Sequence, residues 1–383
     1  MAKFFVHKPK KNAIRYEFTV TTDCGQKVPF GFHSINFEIE HHEIWDSIYP
    51  LMFLTRNGGP IYNKLPENEA IIISFGYPVI AEVAAYYVRR ARDFGYAIEI
   101  DGALSTASYE IQTKGDVLAF GGGKDSRLLL GVLRDAGIDP KLVVAGEGFS
   151  DDLPAAFKVR PINGAMPDRL IPGLMRFPSR FYIGSGLGEV HRTFPWQQYY
   201  DVSSPVALEE FGLLLGRLGA DLRFIPGVCV LPYNLAQHIL FQRYPDLFRH
   251  QVSTRADQLS DKNLHVSLLK AYHGIDFSSH LSREAFVLLA KRFIEGQTKD
   301  VAGGVHGFRG HREVINREMR SILCYLRDQS RVQFDVPEHW EVERWIDYVH
   351  PYAFPGVPVR FLEIFREYAD LMTVQESGLT RFF

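Results

Sequence analysis

The stretch LAFGGGKDSRLLLGVL, residues 118–133, constrains this chain more than any other. The apolar run DVLAF has the composition of a short buried strand. It meets three glycines, then Lys124, Asp125 and Ser126. A helix is expected next, with Leu129, Val132, Leu133 and Ala136 at i, i+3, i+4 and i+7 and Gly137 at its end. Consecutive glycines lose the most backbone freedom on folding, so such a turn needs a reason. One reason is anion binding. A glycine-rich turn exposes several amides, and the first turn of the helix adds unpaired N–H groups and a partial positive charge. The bland alternative is a flexible turn in which Asp125 or Ser126 caps the helix.

Under the anion reading, Gly121, Gly122, Gly123 and Ser126 hold phosphate, and Lys124 adds a mobile positive charge. Asp125 has the wrong sign to touch phosphate and suits a magnesium ion that bridges phosphate oxygens. The loop is not a Walker A sequence: Asp125 follows the lysine, and Leu118 occupies the position of the earlier glycine. It also fits the dinucleotide pattern GxGxxG poorly, because Ser126 stands where the third glycine belongs.

Around the loop, strands and helices alternate. DVLAF, KLVVAG and FYIGS read as strands, and PVALEEFGLLLGRLG and PYNLAQHILFQRYP as helices bounded by proline and glycine. This alternation predicts parallel βαβ units, with ligands at the carboxyl ends of the strands. The expected class is α/β, a parallel sheet with helices on both faces. Residues 1–110 read as an α+β region, with IRYEFTV and YAIEID as strands and a helix opening at Pro78 and ending at Gly95. Residues 111–272 carry the α/β pattern, and 273–383 read as mainly helical.

Composition removes several function classes. A formal charge of −2 disfavours a nucleic-acid partner. Cys24, Cys229 and Cys324 form no CxxC pair, which disfavours a disulfide scaffold or a cysteine-built metal site and points to a reducing cytoplasm. The segment AIIISFGYPVIAEVAAYYV contains Gly76, Pro78 and Glu82, so a strand followed by a helix is expected there rather than a membrane span.

FGGGKDS after an apolar strand resembles the SGGxDS signature of the PP-loop ATP pyrophosphatases, within the adenine nucleotide α-hydrolase-like group. Gly122, Gly123, Asp125 and Ser126 match, and Gly121 replaces the usual first serine. The resemblance implies a Rossmann-like, HUP-type ATP-binding domain over 111–272 with ATP and Mg2+ as cofactors. It implies that the loop grips the pyrophosphate end of ATP, and that Ala145, Gly146 and Glu147 form an adenine edge. It also implies cleavage to AMP and pyrophosphate, with a substrate oxygen adenylated.

GSGLGEVHR and GVCVLPYNLAQHILFQRYP are similar to the ATP-dependent epimerases of UDP-MurNAc-L-Ala-L-Glu. RHQVSTRADQLSDKN stands where that branch carries a cysteine cluster. The implied partner is a small-molecule or peptide-like carboxylate substrate. Epimerisation, amidation and sulfur transfer all remain open, as does a non-catalytic ATP-binding sensor. A homo-oligomer is likewise left open.

Glu189, His191 and Arg192 follow the FYIGS strand. Glu189 or His191 would suit a base for a Cα proton, and Arg192 a carboxylate or phosphate. A polar turn explains them equally well. AGGVHGFRGHRE, with His306, Arg309, His311 and Arg312, reads as a solvated loop, a lid or, with no third ligand nearby, a weak metal site. Asp201, Ser203 and Ser204 read as caps for the helix at Pro205. His41 and His42 read as a polar turn or helix start, and Tyr86–Tyr87 as packing.

Overall fold

A computed structural model describes residues 2–12, 15–34, 41–55, 61, 70–93, 97–106, 108–145, 157–162, 166–184, 205–228, 231, 233–249, 261–278, 281–297, 309–332, 334–341 and 358–368. Its centre is an eleven-stranded sheet. The strands are β1 (Ala2–Val6), β2 (Lys10–Asn12), β3 (Arg15–Thr21), β4 (Lys27–Ser34), β5 (Ile71–Phe75), β7 (Ile98–Asp101), β9 (Asp116–Phe120), β10 (Lys141–Ala145), β11 (Phe157–Pro161), β12 (Arg180–Ile183) and β13 (Arg223–Ile225). Two short strands, β6 (Val79–Ile80) and β8 (Leu104–Ser105), pair separately. The helices are α1 (His42–Thr55), α2 (Ala81–Asp93), α3 (Lys124–Asp135), α4 (Met166–Leu174), α5 (Pro205–Arg217), α6 (Tyr233–Arg243), α7 (Pro245–Arg249), α8 (Asp261–Tyr272), α9 (Arg283–Ile294), α10 (Arg309–Asp328) and α11 (Val359–Arg366).

The sheet runs β13-β12-β9-β10-β11-β4-β3-β1-β5-β7, with β2 on β3. From β13 to β11 every pairing is parallel. The chain enters at β9, moves outward through β10 and β11, then returns to the other side of β9 for β12 and β13. That reversal makes the crevice between β9 and β12 a topological switch point.

The expectation of a parallel sheet needs one correction. β11–β4, β4–β3 and β3–β1 are antiparallel, and parallel pairing resumes in β1–β5–β7. The reason is local: only the short stretch from Thr22 to Gln26 joins β3 to β4, too short for a crossover, so they form a hairpin. One sheet therefore runs across the boundary expected near residue 110.

Side-chain alternation divides the parallel half into two faces. Val117, Val143, Val159 and Phe181 pack with α1, α4 and α5. Leu118, Phe120, Leu142, Val144 and Tyr182 pack with α3, α6 and α11. α3 carries the expected stripe, yet Leu128 and Leu130 off that stripe are also buried. α6, α7 and α11 cover the helix from further sides. Each such leucine contributes about 1.5–3 kcal/mol when fully buried. Gly137, at φ +71°, closes the helix in the left-handed region that glycine tolerates.

α8, α9 and α10 build a separate helical core around Leu264, Leu268, Phe286, Leu289, Ile322 and Leu323. The helix expected from Pro78 begins instead at Ala81. Tertiary hydrogen bonds draw Val79 and Ile80 into extended backbone: Val79 N donates to Ala103 O at 2.9 Å, and Ile80 N to the Ser47 hydroxyl at 3.0 Å. His42 opens α1, and Tyr86 and Tyr87 lie in the core. Among the described residues, no helix is long and apolar enough to cross a membrane.

Candidate functional site

The glycine loop leaves the carboxyl end of β9 at the switch point. Val144 on β10 pairs with Phe120, and Ile183 on β12 pairs with Ala119, so the ends of three strands are level there. Gly122 adopts φ +72°, a conformation that a side chain strains. Gly121 and Gly123 are glycines for another reason. Among the described residues, a Cβ at either would meet nothing within 4 Å, so the backbone there faces open space.

Gly123 is the N-cap of α3, with φ −76° and ψ 175°, and as a glycine it offers no side chain to cap the helix. Arg127 N donates to Gly123 O at 3.1 Å, which starts the helical ladder. The amides of Lys124, Asp125 and Ser126 precede that bond and have no intrahelical acceptor. Together with the helix dipole they form a patch suited to an anion. Capping by Asp125 or Ser126 is therefore corrected: both lie inside the first turn, and the Ser126 hydroxyl donates to Gly123 O at 3.1 Å.

Lys124 and Asp125 are placed side by side, and the Lys124 ammonium donates to the Asp125 carboxylate. Lys124 is only 6% exposed, so the mobile charge expected there is held in an ion pair. The Asp125 side chain keeps 27% exposure beside the open face of the loop. Gly184, just past β12, packs against the opposite side: its Cβ would fall 2.8 Å from Ser126 N. Ala145 ends β10, one strand from the loop, and pairs with Val159. Gly146, Glu147, Glu189, His191, Arg192, Asp201, Ser203, Ser204 and His306 lie outside the described residues. Arg309 begins α10, so that helix opens earlier than its sequence pattern indicates.

Arg127 is the neighbour that the motif does not mark. Its side chain is 1% exposed, its Nε donates to Gly122 O at 2.9 Å, and its guanidinium stands 5.4 Å from the centre of the Phe120 ring. It thus ties the loop's left-handed glycine to the body of α3. Lys270 on α8 is also 1% exposed. Burial pushes its ammonium below the ordinary lysine range; Arg127 adds to that shift, and Asp276 opposes it. Neither residue carries a motif signal in the sequence.

The residues present fit a nucleotide with magnesium. Among the described residues the loop offers an open backbone face at Gly121 and Gly123 and a helix N-terminus, and Asp125 offers one partly exposed carboxylate. Among the described residues, no three His, Cys, Asp or Glu side chains gather as a metal centre. A magnesium ion here would accordingly rely on one carboxylate plus phosphate oxygens, its common mode at nucleotide sites. Comparison with protein-family models, with curated proteins and with solved structures brought no match to this chain.

Proposed function

We propose that the parallel half of the sheet is a Rossmann-like, HUP-type ATP-binding unit, and that the protein is an ATP pyrophosphatase-type enzyme. It would cleave ATP to AMP and pyrophosphate and adenylate a carboxylate or amide oxygen of a small-molecule or peptide-like substrate. One observation carries this reading. A helix N-terminus whose N-cap is a glycine, preceded by a glycine loop with a backbone face open among the described residues, stands at the switch point of a parallel sheet.

In this reading the amides of the first turn of α3, with Gly121, Gly122, Gly123 and the Ser126 hydroxyl, hold the phosphates. Asp125 holds Mg2+, which when bound neutralises phosphate oxygens. Lys124, released from Asp125, offsets charge on the departing pyrophosphate. A substrate oxygen attacks the α-phosphorus, the α–β bond breaks, and pyrophosphate leaves. Ala145 at the end of β10 borders the place for adenine. Epimerisation, amidation and sulfur transfer are the alternative fates of the adenylate.

The test is to incubate the protein with ATP, Mg2+ and a panel of carboxylates, then measure AMP and pyrophosphate. ADP as the sole nucleotide product would overturn the assignment. A second reading, an ATP-binding sensor without turnover, is favoured by Gly121 in place of serine and by the Lys124–Asp125 pair. It predicts ATP binding with no AMP from any carboxylate.

A further inference from the structure

β1, β5 and β7 run parallel, and strands paired in that way are ordinarily covered on both faces. Their inner face is covered: Phe4, Val6, Ile71 and Ile73 belong to the core that contains Val83 and Tyr86 of α2. The outer face is open. Phe5 stands on it at 40% exposure, and Lys27 and Asp101 are exposed to either side.

The register puts five residues of this face in one row. Lys27 on β4 pairs with Thr21 on β3, and Thr21 with Phe5 on β1. Phe5 pairs with Ser74 on β5, and Ser74 with Asp101 on β7. Directly paired residues share a face. Phe5 is therefore the midpoint, with a cation two strands to one side and a carboxylate two strands to the other, each about 10 Å away. The ring at the centre is held in place. Gly76 makes room for it, since a Cβ there would fall 3.2 Å from Phe5 Cζ. His7 stands edge-on to it, with ring centres 4.8 Å apart, and His7 Nε2 lies 2.8 Å from the Thr21 hydroxyl. The Ser74 hydroxyl donates to Asp101 at 3.0 Å. An exposed aromatic that is already fixed loses little freedom when it is covered.

We propose that two copies of this chain meet on this face, sheet on sheet, about a two-fold axis that lies along β1. That axis sets Phe5 against the partner's Phe5 and exchanges β4 with β7. Lys27 then meets the partner's Asp101, twice in each dimer, and Thr21 meets the partner's Ser74. The order of charges selects this axis, because one running across the strands would set Lys27 over the partner's Lys27. Aligned sheets rotate by about 30°, which displaces the ends of the row by about 5 Å, a gap that the long lysine stem spans. Five strands about 17 Å long present about 400 Å² in projection, at the small end for a specific interface, so dissociation is expected at micromolar concentration. The face lies five strands from β9 in the sheet, and the proposal does not rest on the nucleotide reading.

Sedimentation equilibrium of the full chain from about 1 to about 200 μM tests it, a range that brackets a dimer of this size. The wild type should pass from monomer to dimer. Phe5→Asp should weaken association by about 30-fold or more, as loss of a central aromatic does. Lys27→Asp and Asp101→Lys should each weaken it by roughly tenfold, because each creates two like-charge contacts. An equimolar mixture of those two variants should recover the wild-type affinity to within about threefold, since the mixed dimer has both opposite-charge contacts again. Only folded variants can rescue each other, so the mixture separates a lost contact from a folding defect. A wild type that stays monomeric throughout overturns the proposal. So does a dimer that Phe5→Asp or either charge reversal leaves intact, or a mixture that does not recover.

Discussion

Gly184→Ala is expected to damage the site without altering a residue of the glycine loop. The new Cβ would lie 2.8 Å from Ser126 N, 3.0 Å from the Asp125 carbonyl carbon and 3.1 Å from Asp125 Cβ. Two of these are main-chain atoms, so no side chain can swing aside. The turn is also held by Arg127 N to Gly123 O at 3.1 Å and Arg127 Nε to Gly122 O at 2.9 Å. Relief to an ordinary contact of about 3.4 Å needs β12 and α3 to separate by about 0.6 Å. The backbone at Gly184 is not left-handed, so the cost is steric alone. Overpacking of this kind costs about 1–3 kcal/mol. Misplacing a binding group by about 1 Å can cost on the order of 100-fold, so a shift near half that is expected to weaken ATP by about tenfold. Urea denaturation gives the stability, and calorimetry with ATP and Mg2+ gives the affinity. Gly121→Ala is the control: its Cβ meets nothing within 4 Å, and stability should change by less than about 0.5 kcal/mol. An unchanged urea midpoint for Gly184→Ala would refute the packing argument. Lost stability with undiminished ATP affinity would refute the site.

Gly122→Ala should cost about 1–2 kcal/mol in urea, because Gly122 sits at φ +72°; a change near zero would mean that the turn adopts another backbone. Gly131→Ala sets two effects against each other. Helix propensity gains about 1 kcal/mol, but the Cβ would lie 2.7 Å from ring atoms of Tyr244, whose hydroxyl is held by Asp135 at 3.0 Å. Overpacking of about 1–3 kcal/mol wins, so the single change should destabilise. In a Tyr244→Ala background the same change should stabilise, and a double-mutant cycle with no coupling would refute the contact. For pH, burial lowers His238 and pushes His273 down to about 4, against an unfolded value of about 6.5. The unfolded chain then binds more protons below pH 6.5. Stability should therefore be full near pH 7 and fall by about 1–2 kcal/mol toward pH 4, discounting for partial exposure. His273→Phe should flatten that fall, and parallel profiles would refute it.

The parallel half of the fold was legible because each of its signals was local. DVLAF, KLVVAG and FYIGS are short β-branched or aromatic runs, and the stripe from Leu129 to Ala136 has a helical period. The antiparallel insertion was not legible, because nothing in KVPFGFHS shows which strand it will join. Its Phe30 and Phe32 face the core, but the pairing of Val159 with Ser34 joins residues far apart in sequence. Pro78 misled for a related reason. A proline opening an apolar stripe signals a helix start, and two hydrogen bonds to distant partners moved that start to Ala81.

The same division runs through the site. The motif located Gly121 to Ser126, since a strand–glycine–helix turn is a contiguous device. It also treated the three glycines alike, and they are not alike. Gly122 is set by its own backbone angle, whereas at Gly121 and Gly123 no described residue fills the space where a side chain would be, which suits the approach of a ligand in the proposed reading. A serine at position 121 would meet no steric bar from the protein. In the proposed reading its absence bears on the ligand's contacts rather than on folding. Lys124 was legible as a charge but not as half of an ion pair, because its burial depends on the helices that close over α3. Arg127 and Lys270 carry no motif at all. Their burial, at 1% exposure each, is a property of the assembled fold and has no mark in the sequence.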